Sequence, residues 1–204
     1  HTGIRRQRQM CIRDRVGSAL GMEVTAQITS MDHPIGHLLG NAHEVAESVA
    51  CLKGEGPKDT MELVRMQGAA LGADVDAVIA DGSALDAFAQ MCRRQGVDEA
   101  TVTSLIADPW SVLPRGSSRT TIVAPTSGWI SGIDALALGR ALVQIGAGRT
   151  HPDDALDLGA GIELLTTVGA PVEAGAPLAH IDHNMAVGVP DVAGAFVIGA
   201  EAVS

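Results

Sequence analysis

The chain has almost no aromatic residues, with two Trp, two Phe and no Tyr among its 204 positions. Basic residues are few as well, because 14 Lys and Arg stand against 24 Asp and Glu, which gives a formal net charge of -10. A protein that binds nucleic acid ordinarily has a basic surface and aromatic side chains on which bases stack. The composition therefore excludes nucleic acid as an expected partner.

Cysteine and long apolar runs are also scarce. The three cysteines, Cys11, Cys51 and Cys92, are far apart and form no C-x-x-C pair, so the sequence indicates neither a disulfide framework nor a zinc ribbon. Hydrophobic residues make up 46% of the chain, yet no apolar run approaches the ~20 residues of a membrane span. We expect a protein of the reducing cytoplasm with no membrane partner.

Residues 1–15, HTGIRRQRQMCIRDR, are basic in an otherwise acidic chain. One interpretation is a basic arm that belongs to the protein. We favour a non-native segment, because the run Gln9 to Asp14 resembles a translated sequencing adapter. We therefore expect the fold to begin at Val16.

A strand, a loop and a helix form the best-patterned part of the sequence. Apolar and polar residues alternate from Met22 to Thr29, which predicts a half-buried strand. After a loop, Asn41 and Glu44 are spaced as a helix N-cap and the carboxylate that returns to it. Helix-stopping residues then end this helix: Gly54, Gly56 and Pro57. Helical patterns continue as far as Ile106.

The patterns change from helices to strands at a linker, Pro114 to Ser118. Beyond it we expect one helix, Asp134 to Ile145, and a hairpin between Gly169 and Gly175. The predicted strands are Thr120–Ala124, Gly128–Ile133, Gly161–Val168, Pro177–Ile181 and Ala195–Ile198.

Two groups of motifs carry a resemblance to a known family. The first, between Met31 and Pro57, reads P-I-G-x-x-x-G-N-A-x-E-V and C-L-K-G-E-G-P. The second, between Pro125 and Val172, reads P-T-S-G, then G-A-G-R, then V-G-A-P-V. Together they resemble the C-terminal half of the thymidine and pyrimidine-nucleoside phosphorylases.

This resemblance implies a fold of the α/β plus α+β class. Residues 16–113 would be part of the nucleoside-phosphorylase α/β domain, and residues 119–204 a barrel-sandwich-like, α/β-hammerhead domain. The second domain is also similar to biotinyl and lipoyl carrier domains. Those domains carry their cofactor on a lysine, whereas residues 119–204 contain none, so we expect the fold to serve packing only.

The resemblance also implies an activity, the conversion of a pyrimidine nucleoside and phosphate to free base and pentose 1-phosphate. The family's K-x-S-T-G-G phosphate loop is missing from this chain, so we assign no catalytic or cofactor-binding residue and expect the chain alone to be inactive. The homodimer typical of the family is doubtful without the N-terminal half. Two alternatives stay open: a non-catalytic cation-binding or assembly module, and a fragment of an AMP phosphorylase. The residues do not distinguish a preference for thymidine, uridine or AMP.

The candidate metal ligands cluster around the loop: Asp32, His33, His37, His43, Glu44 and Glu47. Without an H-E-x-x-H pattern, a zinc site is disfavoured. A loop shaped by Gly and Pro, followed by one helix carboxylate, suits a hard cation bound by oxygens. The resemblance implies a potassium-type monovalent site, whose two loop carbonyls and one Glu carry over to Ile35, Leu38 and Glu47. The alternative is that Glu47 is merely a solvated helix residue.

Arg149 is a separate candidate for ligand binding. It follows two glycines in Gly146-Ala147-Gly148-Arg149, where a cationic side chain could hold an anion. We expect it instead to pair with one of the nearby carboxylates: Asp153, Asp154 or Asp157.

Overall fold

The structure is a computed structural model that describes residues 15–186 and 188–201. The chain divides into two compact units, residues 1–30 and residues 31–204. Apart from Arg15, the predicted non-native segment lies outside the described residues. Within the described ranges, no helix combines the length and the apolar character that crossing a membrane requires.

In the first unit, the prediction of a strand from Met22 to Thr29 is wrong. Residues 15–19 are helical, but residues 23–30 have no regular secondary structure, and the side chains of Met22 and Ile28 are exposed. A strand requires a neighbour that takes up its backbone N–H and C=O groups, and no described strand pairs with this segment. Alternation of side chains alone does not supply that neighbour.

The second unit contains five helices from Asn41 to Ala107, where the sequence predicts helical structure as far as Ile106, although the short helix of residues 75–80 was not predicted. They are α1 (Asn41–Leu52), α2 (Lys58–Ala70), α3 (Val75–Ala80), α4 (Ser83–Arg94) and α5 (Glu99–Ala107), and a 3₁₀ turn at Pro109–Ser111 follows them. The smaller of two hydrophobic cores joins α1, α4 and α5 through five buried residues: Val49, Ala89, Cys92, Val102 and Leu105.

The start of α1 differs from the prediction by one residue. Gly40 rather than Asn41 is the N-cap, and its N–H donates to Glu44 Oε1 at 3.2 Å. Asn41 is the first helical residue, and its Nδ2 donates to the carbonyl of Ala147 at 2.9 Å. The returning carboxylate is therefore confirmed, while the Asn41 side chain ties the helix to a distant loop instead of capping it.

Two antiparallel sheets form most of the remaining chain. One has the order β1 (Leu38–Leu39), β4 (Gly161–Leu164), β6 (Pro177–His183) and β2 (Ser118–Val123), and the other the order β5 (Pro171–Val172), β3 (Gly128–Ile133) and β7 (Phe196–Gly199). Helix α6 (Ala135–Gln144) follows β3. The mixed α/β architecture is confirmed, and so are α6, β2, β3, β4, β6 and β7, although β4 ends earlier than the predicted strand. The two-residue strands β1 and β5 were not among the predicted strands.

The segment between Gly169 and Gly175 is not the predicted hairpin. β5 lies within this segment and pairs with β3, whereas β6, which follows the segment, pairs with β2 and β4, so β5 and β6 belong to different sheets. Both sheets contribute to the larger hydrophobic core, whose fully buried members are Ile130, Leu138, Ala160, Ile162, Leu178, Ala179 and Ile181. Burial of apolar side chains between the two sheets therefore decides the pairing, not proximity in the sequence.

The loop before α1 is built into the first sheet. β1 places Leu38 opposite Glu163 of β4, and the N–H of Leu164 donates to the carbonyl of His37 at 2.8 Å. The N–H of Ala42, at the start of α1, donates to the carbonyl of Leu158 at 3.2 Å. The division into domains at residues 16–113 and 119–204 stays a prediction.

Candidate functional site

One carboxylate joins α1 to the loop before it. Glu47 Oε1 accepts hydrogen bonds from the backbone N–H groups of His37 at 2.7 Å and Leu38 at 3.1 Å. Asp59 of α2 holds the same loop, since its Oδ2 accepts from the N–H of Gly36 at 3.0 Å. The loop conformation is therefore fixed by carboxylates of two helices, which satisfy three consecutive amides.

Gly36 lets the Glu47 carboxylate approach the loop. Its φ is +78°, and a Cβ atom at this position would overlap Glu47 Oε2. Both the left-handed backbone and the close approach therefore require glycine. Within the described part of the chain, Oε1 takes both hydrogen bonds and none reaches Oε2. The cradle thus leaves one carboxylate oxygen for a further ligand.

The structure brings two of the three predicted cation ligands into contact. Glu47 is half-buried, and Leu38 lies in β1 with its N–H bound to that carboxylate. Ile35 precedes Gly36 in the same loop, and its side chain is exposed. Glu47 thus forms hydrogen bonds at the junction of α1 with the loop before it, and it is not a merely solvated residue.

The remaining members of the predicted ligand cluster have other roles. His33 Nδ1 lies 3.2 Å from the carbonyl oxygen of Ile133, and Glu44 binds the amide at the start of α1. Among residues 15–186 and 188–201, no three His, Cys, Asp or Glu side chains are placed to share a metal ion. A cation at this junction would therefore depend on backbone carbonyls in addition to Glu47.

The predicted pairing of Arg149 is wrong for the described residues, because none of their ion pairs includes it. Asp154 Oδ2 accepts instead from the N–H groups of Thr150 at 2.9 Å and His151 at 2.7 Å. Asp157 accepts from the N–H of Gly159 at 3.1 Å. Loop amides thus occupy Asp154 and Asp157, two of the three carboxylates that the charge pattern assigned to Arg149.

A buried ionic cluster lies beneath α1, one turn before Glu47. Asp182 of β6 is only 2% exposed, and its carboxylate accepts four hydrogen bonds. They come from His43 Nε2 at 3.0 Å, Arg115 Nε at 2.7 Å, and Arg119 Nε and Nη2 at 2.7 and 2.9 Å. A carboxylate accepts and does not donate, so His43 carries its proton on Nε2 in this bond. The hydrogen bonds to Asp182 are also the main cause of a raised pKa of Arg119.

Glu163 and Trp110 complete the cluster. Glu163 Oε2 lies 3.1 Å from Arg119 Nη2 and 3.6 Å from Arg115 Nη2, which are ion-pair distances without hydrogen-bond alignment. Two guanidinium groups therefore face two carboxylates, and the charges balance. The Arg115 guanidinium lies 4.4 Å from the ring centroid of Trp110, and the His43 ring meets that indole edge to face at 5.0 Å.

The His43 ring fits because β4 has a glycine beneath it. His43 is completely buried, and a Cβ atom at Gly161 would overlap its Nδ1. Sequence reasoning missed the bond to Asp182, since 139 residues separate the two and neither stands in a local motif. The signal in the sequence was the run from His180 to His183, which places three titratable residues in one strand: His180, Asp182 and His183. Both neighbours of Asp182 in that strand are buried.

A groove of about 540 Å³ lies beside both features. Its lining includes Glu47 of α1, Lys53 directly after that helix, Trp110 and Glu163. Lys53 Nζ donates to the carbonyl of Ala107 at 3.4 Å, which ties the end of α1 to the end of α5. The arrangement is suited to binding and positioning, because the Glu47 carboxylate is held at a glycine turn, next to the charge-balanced cluster around Asp182.

Comparisons with known proteins match most of this chain to one group of enzymes. Residues 129–196 match the family model described as the pyrimidine nucleoside phosphorylase C-terminal domain. Over 186 residues the chain is 37% identical to the thymidine phosphorylase of Homo sapiens, a match that covers 83% of this chain and 39% of that protein.

Two bacterial relatives match to a similar extent. The pyrimidine-nucleoside phosphorylase of Bacillus subtilis (strain 168) is 36% identical over 183 residues, which cover 83% of this chain and 41% of the relative. The thymidine phosphorylase of Mycobacterium tuberculosis (strain CDC 1551 / Oshkosh) is 38% identical over 176 residues, which cover 83% and 39%. The chain thus spans about two fifths of the length of the curated relatives it matches.

Proposed function

Because this chain belongs to the family of thymidine and pyrimidine-nucleoside phosphorylases, we propose that it acts as the C-terminal part of an enzyme that cleaves pyrimidine nucleosides with phosphate. One observation carries the proposal: identity of 36 to 38% extends over 83% of the chain in three relatives with these names. The reaction and its substrates, a pyrimidine nucleoside and phosphate, come from the names and the chemistry of those relatives.

In phosphorolysis, a phosphate oxygen forms a bond to the anomeric carbon of the nucleoside. The bond from that carbon to the base nitrogen breaks, and the base leaves with the electron pair and takes up a proton. Positioning of phosphate and stabilisation of the departing base account for much of the acceleration. This chain contains no K-x-S-T-G-G loop, so we propose that other residues of the enzyme hold phosphate and that the chain alone does not catalyse.

The part of the site that this chain supplies is a place for a monovalent cation. We propose that the carbonyl groups of Ile35 and Leu38 and the Glu47 carboxylate hold a potassium-type ion there. The glycine cradle at Gly36 supports this assignment, as does Glu47 Oε2, which accepts no hydrogen bond from the described residues. One formal charge suits a monovalent ion better than Ca²⁺, which recruits six to eight oxygens and usually several carboxylates. When bound, the ion would supply a fixed positive charge, while Glu47 and Asp59 hold the loop amides.

For residues 119–204 we propose the barrel-sandwich-like, α/β-hammerhead fold, and for residues 16–113 part of the nucleoside-phosphorylase α/β domain. The single core shared by both antiparallel sheets supports the first assignment. Cys51 and Cys92 are free thiols, which supports a reducing cytoplasm as the place of action.

The proposal is tested with the chain alone and with a chimera. In the chimera, the N-terminal part of the Bacillus subtilis relative is joined to residues 16–204 of this chain. Thymidine, uridine and AMP are each incubated with phosphate, and the release of free base is measured. We expect no release by the chain alone, and release from thymidine or uridine by the chimera.

Two variants of the chimera separate the site from the scaffold. Glu47→Gln removes the charge of the proposed ligand and should lower activity, whereas Glu62→Gln, at a largely exposed residue of α2, should not. A folded chimera that releases no pyrimidine base would contradict the proposed reaction. Base release by the chain alone, lost on substitution of one of its own residues, would contradict the proposed need for the other part.

A further inference from the structure

We infer that His43 is a positioning residue: its buried hydrogen bond to Asp182 sets the rotation of α1 and thereby places the Glu47 carboxylate at the loop. The inference rests on the cation-binding role proposed above for Glu47. It adds two residues, His43 and Asp182, that contribute no ligand to the proposed ion.

Two polar residues of α1, His43 and Glu47, hold different strands of one sheet. His43 and Glu47 are four residues apart and therefore lie on the same face of the helix. His43 reaches Asp182 of β6, and Glu47 reaches the amide of Leu38 in β1. In the sheet order β4 lies between these two strands. The helix thus crosses β1, β4 and β6, with one polar contact to β1 and one to β6.

The anchor beneath His43 is rigid. Two guanidinium groups hold the Asp182 carboxylate through three further hydrogen bonds, and one of them forms a two-pronged contact. The imidazole itself is confined between the Trp110 indole and Gly161 of β4. Because neither side of the hydrogen bond has room to move, the bond fixes the direction in which this face of α1 points.

A small rotation of α1 would be enough to disturb Glu47. Side chains extend to about 5–6 Å from a helix axis, so a rotation of about 10° displaces a carboxylate by roughly 1 Å. The two bonds from Glu47 to the loop amides are 2.7 and 3.1 Å long, and a displacement of that size takes them out of the hydrogen-bonding range. Bonds from Asn41 and Ala42 fix the start of α1, and His43 adds the anchor on the face that carries Glu47.

The charges that face the imidazole come from three elements and one connecting segment. They are Asp182 of β6, Glu163 of β4, Arg119 of β2 and Arg115 before β2. Replacing His43 leaves both guanidinium groups paired with Asp182 and Glu163. The variant His43→Leu therefore loses the positioning bond without leaving a buried charge unpaired, and we expect it to fold.

The test compares the full chain with four variants. His43→Leu removes the donor, and His43→Gln keeps an Nε2 donor at similar reach. Glu47→Gln removes the charge of the proposed ligand. Val49→Ala is the matched control, since it weakens α1 in the apolar core without touching either polar anchor.

The first measurement is the melting temperature in potassium compared with a bulky organic cation at equal ionic strength. Binding to the folded state raises the melting temperature of the unchanged chain in potassium. His43→Leu should lose at least about two thirds of that increment, and Glu47→Gln all of it, because a tenfold weaker site gains little from the same ion concentration. His43→Gln and Val49→Ala should keep it, the second at a lower melting temperature.

The second measurement is hydrogen exchange at the amides of His37 and Leu38, which donate to Glu47. We expect exchange at least about tenfold faster in His43→Leu than in the unchanged chain, and unchanged exchange in His43→Gln. Val49→Ala serves again as the control for general loosening of α1.

The inference is overturned if His43→Leu keeps the potassium increment and slow amide exchange while Glu47→Gln loses both. If no protein responds to potassium, the proposed cation role fails, and amide exchange still decides whether His43 positions Glu47. Should His43→Leu not fold, Gly161→Ala displaces the imidazole from the opposite side and is judged by the same two measurements.

Discussion

At the scale of single residues, the charge of Glu47 acts in two directions. Toward the loop, the Glu47 carboxylate accepts hydrogen bonds from the backbone N–H groups of His37 and Leu38. Toward its own helix it acts on Cys51, which lies four residues further along α1. Burial raises the pKa of the Cys51 thiol, and the negative charge of Glu47 raises it further. A backbone hydrogen bond lowers this pKa by less than either, and Asp59 adds the smallest increase.

This coupling predicts the reactivity of Cys51. A raised pKa leaves less thiolate at pH 8, so the thiol should react slowly with iodoacetamide, because only the thiolate is nucleophilic. Glu47→Gln removes a negative charge, lowers the pKa of the thiol and should speed alkylation. The rate is measured by mass spectrometry of the peptide that contains Cys51, over a range of pH. Glu62→Gln is the control.

The shape of the pH profile separates charge from access. A lower pKa moves the profile of alkylation rate toward lower pH, whereas an opened loop raises the rate equally at every pH. If Glu47→Gln leaves the profile where it was, Glu47 carries no charge effect on Cys51. The buried Cys92 should stay slow in every variant.

How well a residue could be predicted depends on how local its partners are. Glu47 could be singled out, because a glycine-shaped loop and a helix carboxylate stand close together in the sequence and resemble a family motif. His43 could be placed on α1 but not assigned a partner, since Asp182 is 139 residues away. The bond exists only because the sheet order brings β6 beneath the helix, and no local pattern encodes that order.

At the scale of elements, α1 and α2 have nearly equal lengths and different roles. Four residues of α1 are buried, whereas α2 buries only Met61. Val49 of α1 is 1% exposed, and Val64 of α2 is 38% exposed. The smaller core therefore depends on α1, and α2 covers little of it.

A pair of matched substitutions tests this difference. Val49→Ala deletes two methyl groups from the core and should lower the free energy of unfolding by about 1–3 kcal/mol. Val64→Ala makes the same chemical change at an exposed site and should stay within about 0.5 kcal/mol of the unchanged chain. Urea unfolding followed by circular dichroism measures both. Equal losses for the two variants would mean that α2 is packed as tightly as α1.

The elements also show where sequence patterns are sufficient. Helix signals are local, because caps and stop residues lie next to the helices that they bound, and α1 and α6 were predicted within a few residues. Strand signals need a partner, so the alternation from Met22 to Thr29 predicted a strand that the described residues do not form. The turn between Gly169 and Gly175 was recognised, but the pairing of β5 with β3 depends on the two-sheet core.

At the scale of the whole molecule, the second unit has two apolar cores joined by polar contacts. The smaller core lies among α1, α4 and α5, and the larger lies between the two sheets. Three contacts link the start of α1 to the sheet region: Asn41 to Ala147, Ala42 to Leu158 and His43 to Asp182. The predicted boundary in the linker from Pro114 to Ser118 would divide the two cores, whereas β1 and α1 would remain in contact with the sheet beyond it.

This arrangement predicts that residues 114–204 form a domain that folds by itself but is weaker than the same residues within a chain of residues 31–204. Without β1, the edge of β4 loses its partner, and without α1 the Asp182 carboxylate loses the His43 donor and its cover. We expect urea unfolding of the shorter chain to give a free energy at least about 2 kcal/mol lower, because a buried hydrogen bond and a paired strand edge are both lost. Limited proteolysis of the longer chain should cut between Pro109 and Ser118 and leave a protected C-terminal piece. An unfolded spectrum for residues 114–204 would show that the boundary is wrong, whereas equal stability of the two chains would show that β1 and α1 do not stabilise the domain they contact.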